Sequence, residues 1–279
     1  MRSSIVTIIL CLFFSACSFG GKEYHVSPSG DDSNSGSKKE PFRTISAASG
    51  IAEAGDVITV HQGVYREEIN PVNGGESNKK RIVYQAFEGD TVIIKGSEVV
   101  TGWKKVQNDT WMVDVPNSIF GDFNPYQDTI NGDWFNSKGR QHHTGAVYLK
   151  GHWLVEAAQK EDVMQAYNGK MYWFAESDKG SDGVTKIWAQ FVGVDPNEEN
   201  VEINVRQTVF YPRMTGINYL TVKGFILEQA ATPWSPPTAE QIGLIGTHWS
   251  KGWIIENNTI RYSTCVGLTL GKHGDEFDN

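Results

Sequence analysis

The sequence predicts an all-β protein in which coils of a parallel β-helix are interrupted by an inserted β-sandwich. Three observations predict it. Residues 217–227 and 252–260 are short runs rich in β-branched and aromatic residues, each punctuated by Gly or Asn; that is a strand signal with built-in corners. Similar runs recur upstream at 56–65, 81–87 and 91–95, spaced at roughly 20–29 residues, the length of a short solenoid repeat. Between residue 96 and about residue 205 this pattern gives way to separated strand-like pieces with loops rich in Asn, Asp and Gly, which is how a sandwich reads. On pattern alone an ordinary antiparallel sheet remains open, because short apolar runs are ambiguous.

Taken in order, the chain begins with an export signal. Arg2 supplies the charge, residues 5–14 are an apolar core, and Phe14-Ser15-Ala16-Cys17 closes it with small residues. The stretch is too short for a transmembrane helix. Cys17 directly after small residues resembles a bacterial lipobox, although Phe14 stands where Leu is usual. Lipidation at Cys17 would anchor the mature protein in the periplasm or at the outer membrane. Ordinary signal cleavage is the alternative, and it also leads out of the cytoplasm.

Residues 22–96 are expected to form the first coils. A strand at 23–27 is followed by a polar loop at 28–40. Its Asp31-Asp32-Ser33-Asn34-Ser35-Gly36 run could hold calcium, but lacks the spacing of a helix-flanked calcium loop and reads better as a solvated turn. Residues 41–54 read as a short helix with Ile45, Ala48 and Ile51 or Ala52 on one face and Gly55 as the stop. It would cap the unpaired edge of the first coil. In the next coil Ile58 and Val60 face one way, and Val57, Thr59 and His61 the other. The sandwich is expected over 97–205, with strands near 146–149, 171–175 and 186–191 and a helical segment near 161–167. Coils return over 206–279 and include a strand at 266–272. The tail from His273 to Asn279 carries no recognisable cap, so the coil stack is expected either to continue beyond Asn279 or to pair with another chain.

Composition limits the function. The 279 residues carry a formal charge of -8, which disfavours nucleic acid and anionic membrane surfaces as partners. Nine Trp, 10 Tyr and 13 Phe offer faces for stacking on sugars, though most large aromatics fill cores. Cys11, Cys17 and Cys265 give no disulfide framework. No motif calls for a metal or a cofactor.

Several phrases together carry a resemblance. They are Phe120-Gly-Asp-Phe-Asn-Pro-Tyr126, Gly132-Asp-Trp134, Asp195-Pro-Asn-Glu-Glu-Asn-Val-Glu-Ile-Asn-Val-Arg206, Phe210-Tyr-Pro212, Thr215-Gly-Ile217, Thr221-Val-Lys-Gly-Phe225, Ala231-Thr-Pro-Trp-Ser-Pro-Pro-Thr-Ala239 and Trp249-Ser-Lys-Gly-Trp-Ile-Ile-Glu256. In this order they resemble glycoside hydrolase family 120, the β-xylosidases, over residues 24–271. The resemblance implies a right-handed parallel β-helix with an inserted β-sandwich. It also implies an exo-acting, retaining enzyme on xylosides and xylo-oligosaccharides, and subunits that associate. Retaining chemistry needs two carboxyl groups about 5 Å apart. The resemblance places the family's Asp nucleophile and Glu acid/base on coils past the matched stretch. They are expected beyond Asn279, so no catalytic residue is carried over. Trp134 matches the Trp that the family places at the sugar site; the competing reading is a sandwich-core Trp. Trp234, in a Pro-stiffened loop between coils, could wall the same site or pack against the insertion.

Other groups point less sharply. His142 and His143 are neighbours without further ligands at set spacing, a weak metal signal that reads better as a solvated loop. Asp275, Glu276 and Asp278 imitate a catalytic pair but read as a terminal tail. Asn257 and Asn258 suit a coil corner. Two other functions are compatible with the sequence. One is a non-catalytic carbohydrate-binding or remnant β-helix lipoprotein. The other is a polysaccharide lyase on the same architecture, for which no clustered basic face is evident.

Overall fold

The computed structural model describes residues 20–180, 182–236 and 240–271. Among the described residues the fold is all-β with two short α-helices, α1 (Ile45–Ile51) and α2 (Lys160–Val163), and a 3-10 turn at Asn117–Phe120. Before the insertion lie β1 (Glu23–Val26), β2 (Val57–Val60), β3 (Gly63–Arg66), β4 (Ile82–Ala86) and β5 (Val92–Lys95). The insertion contains β6 (Ser97–Val99), β7 (Lys104–Gln107), β8 (Thr110–Pro116), β9 (Val147–Leu149), β10 (His152–Trp153), β11 (Val155–Glu156), β12 (Tyr172–Ser177), β13 (Val184–Gln190) and β14 (Val201–Asn204). After it come β15 (Leu220–Lys223), β16 (Phe225–Glu228), β17 (Ile245–Gly246), β18 (Ile254–Glu256), β19 (Thr259–Arg261) and β20 (Leu268–Thr269).

Outside the insertion every strand pairs in parallel. One sheet has the order β1-β2-β4-β15-β18 and a second the order β19-β16-β5-β3. A third face is made by the parallel bridges Ile69–Phe210 and Phe210–Ile245 and by the β17–β20 pair. The chain therefore visits the faces in a fixed sequence on each circuit, and the antiparallel alternative does not apply here. Register places like residues above one another. Tyr24, Ile58, Tyr84, Val222 and Ile255 form one inward stack, and Tyr65, Ile94, Leu227 and Ile260 another. These side chains build one continuous core. The period-2 alternation of a strand sends their neighbours outward.

The corners use the residues that a sharp turn favours. Gly224, at φ 82°, joins β15 to β16, and a Cβ there would lie 3.2 Å from that of Ala86. One circuit later Asn257 takes φ 55°, while Asn258 accepts from Phe225 N at 2.9 Å and donates to Val222 O at 2.8 Å. The side-chain amide thus ties one circuit to the one before.

Helix α1 packs against β1 and β2. Thr44 caps it by accepting from Ala47 N, in the manner of a short polar N-cap. Ile45 and Ala48 point into the core; Ala52 completes the face, and Ile51, 49% exposed, does not. The Glu67 carboxylate accepts from Ile45 N and Ser46 N at 2.9 and 2.8 Å, tying the helix to the circuit beneath. The acidic loop before it is a set of caps. Asp31 accepts from Ser33 N and Oγ, and Asp32 accepts from Arg43 N and Thr44 N. Among the described residues no His, Cys, Asp and Glu group is arranged to hold a metal ion.

The insertion leaves after β5 and returns to the third face at Phe210. Its ends are clasped: β6 pairs antiparallel with β14, and the Gly96 carbonyl accepts from both Val205 N and Arg206 N at 2.8 and 3.0 Å. One sheet has the order β10-β9-β14-β6, the other β11-β12-β13-β8-β7. A second core unites Val147 and Ile203 from the first sheet with Val113, Trp173 and Ile187 from the other. The strands expected near 146–149, 171–175 and 186–191 are β9, β12 and β13. The helix is the shorter α2, and the strand expected at 266–272 is reduced to β20. The tail that ends at Asn279 lies outside the described residues.

A buried charge cluster seals the insertion to the circuits. Arg66, Lys95, Glu228 and Arg261 occupy one register position on β3, β5, β16 and β19. Glu202 of β14 enters this row, 0% exposed, and accepts from Lys95 Nζ at 2.8 Å, Arg66 Nη2 at 2.6 Å and Gln229 Nε2 at 3.2 Å. Burial pushes the Glu202 carboxyl up, but Lys95 and Arg66 outweigh it and hold the group below the usual carboxylate range.

Candidate functional site

The loop at 130–143 projects from the insertion. Its neck is closed by the Thr129–His143 bridge and by Ile130 N donating to His142 O at 2.7 Å. At its tip Trp134 is 78% exposed, so the sandwich-core reading of this residue does not hold. It takes φ 65°, a left-handed conformation that is costly for a bulky residue and is found where surrounding contacts enforce it.

Trp234 helps to enforce it. This residue comes from the segment between β16 and β17, yet its Nε1 donates to Asp133 O at 2.9 Å. Its ring lies so close to Gly132 that a Cβ there would sit 2.8 Å from Trp234 Cδ1. Phe135 lies beside it, with ring centroids 6.1 Å apart, and meets His142 edge-on at 5.7 Å. Of the two readings of Trp234, packing against the insertion is the one observed. The two tryptophans selected from the sequence thus meet at one loop: Trp234 packs against the residues on either side of Trp134, and Trp134 is presented outward.

Behind the loop is an open cavity of about 510 Å³ whose lining includes Arg140, His142, His143, Trp153, Glu156 and Thr264. Glu156 organises the charged side. It accepts from His143 Nδ1 at 2.7 Å and from Arg140 Nη2 at 3.1 Å. His142 lies between Arg140 Nη2 on Nδ1, at 3.2 Å, and Ser137 O on Nε2, at 3.0 Å. That bonding requires the tautomer protonated at Nε2. His143 is therefore pinned to a carboxylate and His142 to Arg140 and the Ser137 carbonyl, which corrects the expectation of a solvated loop. Trp153 forms an aromatic wall, edge-on to Tyr262 at 5.5 Å, and the Tyr262 hydroxyl lies 3.0 Å from His152 Nδ1.

Neither Glu156 nor Tyr262 was found from the sequence. Glu156 lies 13 residues from His143 in a two-residue strand, and no motif links them. The Arg140-x-His142-His143 spacing was the available signal. Cys265 has a free thiol that burial, and then Asp128, push up to about 11, as for an inert structural cysteine. Cys17, Asp275, Glu276, Asp278 and Asn279 lie outside the described residues. The structure therefore assigns no place to the lipid anchor or to a catalytic pair beyond Asn279.

The loop offers an exposed indole, and the cavity offers a second aromatic wall with carboxylate, guanidinium and imidazole groups. An apolar face combined with convergent donors and acceptors suits a polyhydroxylated ring. Residues 100–172 match the family described as glycoside hydrolase 120, insertion domain, and residues 28–72 match DUF1565, a family of unknown function. The solved structure of XylC in complex with xylose is 48% identical, with a TM-score of 0.80, over 85% of this chain and 40% of the XylC chain. An uncharacterized protein of Bacillus subtilis strain 168, YwoF, is 37% identical over 79 residues, which are 28% of this chain and 17% of YwoF. This chain thus spans less than half the length of either protein. It is a relative of glycoside hydrolase family 120 and carries that family's insertion domain at residues 100–172.

Proposed function

We propose that this chain forms the sugar-binding N-terminal part of a retaining, exo-acting β-xylosidase acting on xylosides and xylo-oligosaccharides. Its parallel circuits are the first turns of a right-handed β-helix over 22–96 and 206–279, and residues 97–205 are an inserted sandwich domain. The catalytic Asp and Glu are expected on coils beyond Asn279, as the family resemblance implies. Export through the N-terminal signal, with Cys17 as a lipid anchor, and association of subunits belong to the same reading.

One observation carries the proposal. Trp134 is 78% exposed on a loop that Trp234 holds beside it, and the same loop supplies Arg140, His142 and His143 to a cavity with sugar-binding chemistry. Exposing an indole to water forgoes about 1.5–3 kcal/mol of burial, so its placement suits a ligand better than a core. The likeness to XylC, whose structure holds xylose, supports the choice of sugar.

The test is titration of the purified chain with xylotriose, followed by tryptophan fluorescence. Quenching that saturates in the wild type and disappears in Trp134→Ala is the expected result. An unchanged titration in that variant would remove Trp134 from the site. Turnover of an aryl β-xyloside by the pure chain would contradict the expectation that the catalytic carboxylates lie elsewhere.

A further inference from the structure

A second cleft, of about 670 Å³, lies on the seam between the insertion and the circuits. The insertion contributes residues 118–123 and Val205, and the circuits contribute Glu68, residues 206–208, Tyr211, Arg213, Glu240 and Ile242. It shares no lining residue with the cavity behind the Trp134 loop.

Its polar groups are incompletely used. Arg206 gives Nη2 to Glu98 Oε1 at 2.6 Å, while its Nη1 is buried without a hydrogen-bond partner among the described residues. A buried guanidinium donor left unpaired is costly; the Arg206 side chain is partly exposed as a whole, so a small turn would bring Nη1 to a ligand oxygen in the cleft. Glu68 is only loosely paired, with Arg213 Nη2 3.7 Å from Oε1. Burial raises its carboxyl above the usual range, with Arg213 and Arg206 opposing. A carboxyl of this kind in a cleft marks a functional candidate. Tyr211 donates to Glu240 Oε1 at 3.0 Å and stacks on His248 at 5.1 Å, which holds Glu240 at the rim.

The charge balance selects the ligand class. Glu68, Asp122 and Glu240 against Arg206 and Arg213 would repel a phosphate, a sulfate or a uronate. Acceptors and donors alternating beside Phe120, Phe123 and Tyr211 suit hydroxyl groups, each of which both donates and accepts.

We propose that this cleft is a second carbohydrate site, binding a neutral sugar unit through Arg206 Nη1, Glu68 and Glu240, separately from the Trp134 face. Such a site would hold a distant part of an oligosaccharide or a second chain of it, and raise the effective concentration of substrate at the first face.

The experiment is calorimetric titration with xylotriose of the wild type, Trp134→Ala, Arg206→Met and Glu68→Leu, each checked by thermal unfolding. Tryptophan fluorescence reads the Trp134 face alone. Two molecules bound per chain are expected in the wild type and one in each variant, with the lost event at least ~10-fold weaker. Arg206→Met and Glu68→Leu should leave the fluorescence titration unchanged. Glu68→Leu serves if loss of the Glu98 pair prevents Arg206→Met from folding. A single event, abolished in Trp134→Ala and untouched by the other two, would overturn the second site and leave the first. A single event abolished only by Arg206→Met and Glu68→Leu would retain the cleft and overturn the Trp134 face. No heat in the wild type would refute both.

Discussion

The circuits and the insertion solve the same problem, burying one side of short strands, in opposite ways. In the circuits, parallel register stacks like on like, so each strand is supported by the strand one turn before and one turn after. In the insertion, two sheets face each other across a mixed aromatic and aliphatic core, and the loops that leave it are free to vary. The regular region supplies stiffness and a fixed edge; the irregular one supplies the projecting Trp134 loop. The two meet at Glu202, where an insertion carboxylate pairs with the circuit cations Arg66 and Lys95. The difference teaches that position is set by the repeat, and chemistry is carried where the repeat is interrupted.

Breaking the seam should cost most. Glu202→Ala strands Lys95 and Arg66, and breaking a buried ion pair of this kind costs about 3–5 kcal/mol; the lower end is expected because Glu228 remains 3.1 Å from Lys95. Denaturant unfolding measures it. The sign of the pH dependence follows from the depressed Glu202 value. Its contribution is fully present above the unfolded carboxylate value near 4.5 and is lost as pH falls through the lower folded value. Glu202→Gln should flatten the stability profile in that acid window.

Leu227→Ala removes one member of an inward stack, and about 2–5 kcal/mol is expected. The same truncation at Ile187, in the insertion core, should cost a similar amount. A circuit truncation much milder than the insertion one would mean that the stack does not couple successive turns. Gly224→Ala forces a Cβ into the left-handed region beside Ala86, with an expected loss of about 1–2 kcal/mol. Trp134→Ala should change stability least, within about 0.5 kcal/mol, since its ring is exposed.

The circuits were the legible part. Val-Ile-Thr-Val at 57–60 and Leu-Thr-Val-Lys at 220–223 carry β-branched residues in alternation, and Gly224 and Asn257 mark the corners. The Ile45/Ala48 spacing gave α1, which ends at Ile51, short of the expected 54; Ala52, just past its end, is buried while Ile51 is exposed. Trp134 and Trp234 could be singled out, but not their meeting, which depends on a contact across 101 residues. Glu156 was illegible for the same reason: its partners arrive from a loop, not from its own strand. The Glu202 cluster was hidden because an isolated Glu in a strand reads as a solvent-facing residue, and only its side-chain bonds to Arg66 and Lys95, distant in sequence, account for its burial.

The most direct measurement is the fluorescence titration of the wild type and Trp134→Ala with xylotriose, run beside their unfolding curves. The account predicts saturable quenching in the wild type, its loss in the variant, and unfolding midpoints that coincide. Equal binding by both proteins, or a variant that fails to bind because it has lost its fold, would contradict the view that Trp134 is presented for sugar rather than retained for structure.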